Sequence, residues 1–247
     1  FRSTDGAVTW SQESMNTMNY KAIEFKPGDS EVVYATGNGR FFKSENNGQS
    51  WQYITDGIIQ GNRMVIAVTP ANPELVYVLS ANTYEFRSLY RSTDSGDSFE
   101  EMSDSPNILS WSADGSQSGG QAWYDLCMVA DPEIEDRLYV GGIRMKQSDD
   151  GGATWSDIQT NFLHVDHHWL EFSPHTGELF LANDGGMYKY ENNSEWVDIT
   201  DGIVTSQIYK LGQSPHNPNK TLCGFQDNGT SQFTGSVWQR VGGGDGF

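Results

Sequence analysis

Residues able to do chemistry concentrate in the last third of the chain. The stretch "HVDHHWLEFSPHTGELFLANDGGMYKY" (164–190) sets His164, His167 and His168 around Asp166, then carries Asn183 and Asp184 into a glycine pair. "QDNG" (226–229) follows with Gln226, Asp227 and Asn228, and "VGGGDGF" (241–247) supplies Asp245. Cleavage of a glycosidic bond needs two carboxyl groups flanking it, about 5–5.5 Å apart for retention or about 6.5–9.5 Å for inversion. Asp166, Asp184, Asp227 and Asp245 are the candidates for such a pair, and spacing alone does not choose among them. The same Asn-Asp-Gly-Gly and Asp-Asn-Gly strings also make ordinary tight turns.

A metal is a poorer fit. Read as one strand, 164–169 puts His164, Asp166 and His168 on one face and Val165, His167 and Trp169 on the other. His164 and His168 then stand about 13 Å apart. One ion with bonds of about 2 Å cannot be held by all three residues. The expected arrangement is a hydrogen-bonded network at an opening, without metal or cofactor, in which His164, His167, His168, Asn183, Gln226 and Asn228 meet a ligand. Trp111 and Trp123, in and beside the insertion "EEMSDSPNILSWSADGSQSGGQAW" (100–123), could stack on a sugar ring or pin the insertion down.

What must position these residues is a repeat. "RSTDGAVTW" (2–10), "KSENNGQSW" (43–51), "RSTDSGDSF" (91–99) and "QSDDGGATW" (147–155) share Ser-x-Asp/Asn-x-Gly-x-Ser/Thr-aromatic, with Ala7 replacing the glycine in the first. Weaker copies end at Trp196 and Trp238. Intervals of 41 to 56 residues between the closing aromatics match a four-stranded propeller blade with two insertions. Short side chains at Ser3, Asp5, Ser44, Asn46, Ser92, Asp94, Ser148 and Asp150 can accept from turn amides that lack ladder partners. The aromatics Trp10, Trp51, Phe99 and Trp155 then cover the apolar gap beneath. These twelve residues are read as structural.

Between the motifs, four strands fit each unit. The innermost read "YKAIEFK", "MVIAVT", "YDLCMVA", "HHWLEFS" and "IYKLGQS", and seven of the eight prolines fall in the turns just after them. The chain divides into a partial unit (1–14), five full ones (15–56, 57–103, 104–160, 161–201, 202–241) and the start of another (242–247). The fold class is all-β, a propeller seen as an incomplete ring or part of a larger one. Strand direction alternates, so 183–186, 226–229, 241–247, the 100–123 insertion and the entry to 164–168 all fall on one face, where a ligand is expected.

Composition narrows the partners. A formal charge of −18 argues against nucleic acid and anionic membrane, since phosphates would be repelled. No run approaches the roughly 18 apolar residues of a membrane span. The two cysteines, Cys127 and Cys223, sit in apolar strand-like runs and lack zinc spacing. The opening on Phe1 and the unfinished ring lead us to expect a segment of a longer polypeptide.

The repeated motif resembles the Asp box, or BNR repeat, of secreted β-propellers. Beyond it, "HVDHHWLEFSP", "LANDGGMYKY", "FQDNGT" and "VGGGDGF" resemble, in this order, a set of secreted bacterial proteins described as sortilin-like or glycosyl-hydrolase-like. The resemblance implies a secreted, periplasmic or cell-surface propeller that recognises carbohydrate or peptide. It also implies two alternatives: a glycoside hydrolase acting on a polysaccharide, and a structural or assembly module. Sialidases share the box but need a Phe/Tyr-Arg-Ile-Pro segment that this chain lacks.

Overall fold

The computed structural model describes residues 1–12, 18–192, 194–203, 206–217 and 219–246. Among them no helix is long and apolar enough to cross a membrane. Twenty strands among these residues form five antiparallel sheets, each of four consecutive strands. The first sheet holds β1 (Tyr20–Lys26), β2 (Asp29–Gly37), β3 (Arg40–Ser44) and β4 (Gln52–Ile54). The second holds β5 (Arg63–Val68), β6 (Val76–Ala81), β7 (Phe86–Ser92) and β8 (Glu100–Ser103). The third holds β9 (Cys127–Ala130), β10 (Leu138–Gly141), β11 (Met145–Ser148) and β12 (Ser156–Asp157). The fourth holds β13 (His167–Phe172), β14 (Leu179–Asn183), β15 (Gly186–Glu191) and β16 (Glu195–Asp198). The fifth holds β17 (Ile208–Gln213), β18 (Thr221–Phe225), β19 (Gly229–Phe233) and β20 (Trp238–Gly242). Strands β1, β5, β9 and β13 touch in succession, so the first strands of the first four sheets line a shared cavity of about 1210 Å³. This is an all-β arrangement of propeller blades. The 14/15 boundary and Phe247 lie outside the described residues.

Sheets stack through three apolar layers, and strand periodicity explains how. On β6, Val76 and Val78 point toward Tyr34 and Phe41 of the first sheet. Tyr77 and Leu79, one residue out of phase, join Met128, Leu138 and Val140 of the third. Tyr139 and Met145 likewise meet Leu170, Leu181 and Trp196 of the fourth. On the fifth sheet, Ile208, Leu211, Trp238 and Val241 are exposed. Cys127 and Cys223 are free and buried.

The repeated turns are held by their own side chains. In the third copy, Ser92 Oγ accepts from the Gly96 amide (2.8 Å) and donates to Asp94 Oδ1 (2.7 Å). Asp94 also accepts from the amides of Asp97 and Ser98 and from the Ser98 hydroxyl (2.6 Å). Burial disfavours the ionised Asp94, but the Ser98 and Ser92 hydroxyls outweigh it and bring its pKa to about 2. The unfolded carboxyl titrates near 3.9, so this bonding stabilises the fold above about pH 4 and is lost as pH falls toward 2. The closing aromatics reach back to the preceding sheet: Phe99 meets Phe41 edge-on at 4.9 Å, and Trp196 Nε1 donates to the Ile158 carbonyl (3.3 Å).

Each turn also needs a left-handed residue. Gly48, Gly96 and Gly152 take φ of +79°, +81° and +90°, and Ala7 takes +69° at the equivalent place. An L-residue pays about 1–2 kcal/mol for that conformation. Ala7→Gly is therefore expected to tighten the first hairpin by about 1 kcal/mol, slowing amide exchange at Val8 and Thr9 roughly five-fold. Both amides donate to Asp5 Oδ1, so they report the turn directly. Unchanged exchange would contradict the strain at Ala7.

Candidate functional site

The insertion is anchored before it becomes chemical. Residues 104–126 connect β8 to β9, and their Ile108, Leu109, Ala122 and Leu126 enter the layer between the second and third sheets. The amides of Ala122 and Trp123 donate to the carbonyls of Tyr84 and Thr83 in the β6–β7 loop. Arg63, at the start of β5, donates to the carbonyls of Ala122 (2.9 Å), Tyr124 (3.3 Å) and Leu126 (3.1 Å). Gln121, Tyr124 and Asp125 are thereby fixed beside Arg63 and Leu126, which line the cavity. Sequence reading started a strand at Tyr124, whereas β9 starts at Cys127.

The His-Asp-His-His stretch also departs from the strand expected of it. Strand β13 begins at His167, Asp166 has φ +65°, and the pairing with β14 shifts between His167 and Trp169. A left-handed residue and a bulge each break the period of two, so the expected two-faced alternation does not hold across 164–169. Instead, Asp166 turns under the insertion. Gln121 Nε2 donates to Asp166 Oδ1 and to Asp125 Oδ2 (3.1 Å), joining the two carboxyls through one amide.

Asp184 is the second element. Tyr124 Oη donates to its Oδ2 (2.8 Å), and His168 Nε2 lies 2.8 Å from its Oδ1. The Tyr124 and His168 rings meet edge to face at 4.8 Å, which locks both orientations. The glycine pair makes this loop feasible. A Cβ on Gly185 would lie 2.3 Å from the His164 Cβ, and Gly186 has φ +144° with Thr200 Oγ1 2.1 Å from its would-be Cβ. Asp227 comes from the β18–β19 loop, and its amide donates to Asp245 Oδ1 (2.9 Å).

These carboxyls perturb one another. Burial, then repulsion from Asp184 and Asp227, raises Asp166 above the usual carboxylate range. Burial, then Asp245 and Asp184, raises Asp227. Asp125 is 1% exposed and is pushed up to about 8, chiefly by burial, with Asp166 adding to it. Four sequence-chosen aspartates and one missed by sequence reading are therefore linked in a chain of electrostatic neighbours, Asp125 to Asp166, Asp166 to Asp184 and Asp227, and Asp227 to Asp245. Asp125 had one visible signal, a lone carboxylate in the otherwise apolar run "AWYDLCMVA".

The other chosen residues separate into groups. His167 is fully buried: its Nε2 meets Gln159 Oε1 (2.9 Å), its Nδ1 faces the Asn183 amide (3.4 Å), and burial drives its pKa down to about 3. It is neutral scaffold and presents nothing to a ligand. Asn183 braces the loop, donating to the His164 carbonyl (2.8 Å) and accepting from the Gly185 and Gly186 amides. Asn228 donates to the Gln226 carbonyl within its own turn. Trp123 and Trp169 are exposed, and Trp169 lines the cavity. Trp111 is exposed beside a stretch tied to β11 through Lys146 and the Ala113 carbonyl, away from the cavity-lining strands.

Glu24 on β1 and Glu171 on β13, which line the cavity, were not foreseen. Burial, then repulsion from Glu171, lifts Glu24 to about 7. Trp169 Nε1 donates to Glu171 Oε2 (3.1 Å). Among the described residues no three His, Cys, Asp or Glu side chains converge as a metal-binding set.

Four-stranded sheets closed by serine–aspartate turns, whose first strands line a shared cavity, define an Asp-box β-propeller. The chain belongs to the Sortilin-Vps10 family (sortilin, neurotensin receptor 3), whose pattern matches residues 1–140. It is similar to xyloglucanase Xgh74A of Acetivibrio thermocellus, 24% identical over 90% of this chain and 25% of that enzyme. A xyloglucanase of a Paenibacillus species is 27% identical over 84% of this chain and 21% of its own length. The chain thus spans about a quarter of these relatives. Among solved structures, the GH74 enzyme of Niastella koreensis superposes with TM-score 0.56 at 18% identity, covering 90% of this chain and 38% of that one. YCF48 from Cyanidioschyzon merolae gives 0.53 at 12% identity, covering 93% and 71%.

Proposed function

We propose that this chain is part of a secreted or cell-surface propeller that recognises an extended ligand, carbohydrate or peptide, through the mouth formed by the insertion and the β14–β15 and β18–β19 loops. One observation carries the reading: Asp166, Asp184 and Asp227, from separate segments, lie close enough to repel one another, beside exposed Trp123 and Trp169 and the oriented Tyr124–His168 pair. Polar groups that fix orientation, next to aromatic faces that supply area, are what a binding site requires. The exposed apolar residues of β17 and β20 suit burial by further blades of a longer polypeptide. Presentation of the purified chain to glycan and peptide panels is expected to give retention without turnover. A Trp123→Ala, Trp169→Ala double variant should bind about ten-fold more weakly, the loss of one to two aromatic contacts. Retention unaffected by that change would remove the mouth from the account.

Asp125 favours a second reading. A carboxyl that keeps its proton near neutrality, joined through Gln121 to a second carboxyl, Asp166, is the kind of asymmetry a glycoside hydrolase needs between acid and base. The similarity to xyloglucanases points the same way. On this reading, reducing ends appear when the chain meets xyloglucan, and Asp166→Asn abolishes them without unfolding the chain. Absence of reducing ends leaves the recognition reading alone.

A further inference from the structure

The mouth holds more negative charge than its own residues answer. Asp166, Asp184 and Asp227 lie within mutual electrostatic reach and Asp245 adjoins Asp227, and among the described residues only the His168–Asp184 contact brings a basic side chain into ion-pair distance of any of them. His164 is the other basic group close enough to be felt, and its Nδ1 is engaged by the Val165 carbonyl (2.9 Å). From β5, Arg63 faces Asp125, but its guanidinium nitrogens Nη1 and Nη2 are bound to the carbonyls of Ala122, Tyr124 and Leu126. From β9, Cys127 also borders Asp125.

A second observation is independent of the charge count. Asp125 is 1% exposed, and while its Oδ2 accepts from Gln121, its Oδ1 is buried without a hydrogen-bond partner. That oxygen belongs to a carboxyl in contact with Asp166, so two acids meet behind the mouth with one amide between them. A buried carboxylate oxygen left bare is costly unless it carries a proton directed at its neighbour. A shared proton across the Asp125–Asp166 pair answers this. The rim adds ring faces: Trp123 and Tyr124 lie 5.5 Å apart, and Trp123 is exposed.

We propose, building on the recognition reading above, that this mouth receives one cationic group of a peptide ligand, a lysine ammonium or an arginine guanidinium, and that seating it expels the proton shared by Asp125 and Asp166. Cation and proton compete for the same charge. The proton leaves to solvent, so the net charge of the pair falls by one as the ligand's positive charge arrives. Aromatic faces suit an organic cation, which can bridge carboxyls on different loops. A bare metal ion needs donors converging on one point, which the described residues do not provide.

Calorimetry on the full chain tests this at about 0.15 M salt, where nonspecific attraction to an acidic protein is screened. The probes are acetyl-Ala-Lys-Ala-amide, its arginine analogue, its uncharged norleucine analogue and calcium chloride. The two charged peptides are expected to bind at least about ten-fold tighter than norleucine, and to gain up to about ten-fold per pH unit between roughly pH 6 and 8. Titrations in phosphate and in MOPS should differ in heat by the ionisation of one released proton. Asp125→Asn keeps a donor toward Asp166 and should abolish that buffer difference. An Asp166→Asn, Asp227→Asn double variant should lose about ten-fold or more in affinity, while exposed Glu133→Gln changes nothing. Equal binding of the norleucine peptide, or no released proton, overturns the proposal. If neutral glycans or peptides from the panels still bind, only the cation claim falls. If nothing binds at all, the recognition reading falls with it.

Discussion

Asp125→Asn is expected to stabilise this protein at alkaline pH and leave it nearly unchanged in mild acid. The folded chain holds the Asp125 proton up to about pH 8, whereas the unfolded carboxyl releases it near 3.9. Folding therefore takes up a proton in between, and Asp125 makes stability fall as pH rises from about 4 to about 8. Asparagine mimics the protonated acid: its Oδ1 can accept from Gln121 and its Nδ2 can donate to Asp166. Relaxation around a buried carboxylate limits the gain, which should be on the order of 3 kcal/mol at about pH 9 and close to zero at about pH 5. Urea unfolding of both chains at the two pH values measures it. Parallel stability curves would mean that Asp125 ionises as an ordinary carboxyl.

The second large effect lies in the scaffold. Gly152→Ala places a Cβ 1.7 Å from Leu89 Cδ2 at φ +90°, and Leu89 is completely buried. Left-handed strain of about 1–2 kcal/mol adds to an overpacking cost of about 1–3 kcal/mol, so a loss of about 2–5 kcal/mol is expected. Gly48→Ala, at the equivalent place in the second turn, meets only Trp51 Cζ2 at 3.5 Å. It should cost the conformational part alone, about 1–2 kcal/mol. Thermal melts of both variants separate the two contributions. Equal losses would show that Leu89 yields freely and that the layer between second and third sheets is looser than its burial implies.

Much of the fold was legible because the turn chemistry is local. Ser92, Asp94, Gly96 and Ser98 bond within seven residues of one another, so the sequence motif and the structural unit coincide. Strand β6 was legible because its Val-Tyr-Val-Leu run is buried on both faces. The site was read only in part. Asp166, Asp184, Asp227 and Asp245 could be assigned to one face by counting strand reversals. The partners that define their chemistry come from elsewhere in the chain: Tyr124 reaches Asp184 across 60 residues, and Gln121 reaches Asp166 across 45. No local pattern encodes such approaches. His167 misled for a related reason, since a histidine in a polar cluster looks exposed until β13 is placed against Gln159 and Asn183. The left-handed Asp166 is equally invisible to strand periodicity, which presumes extended backbone throughout.

The most direct check on the mouth is a carbon-13 NMR titration of the aspartate side-chain carboxyls. If insertion and loops enclose one coupled acidic opening, a single carboxyl titrates near pH 8 and disappears in Asp125→Asn, and the Asp166 resonance moves in the same step. If every aspartate in the chain titrates below about pH 5, as free carboxyls do, the acids do not share an enclosure.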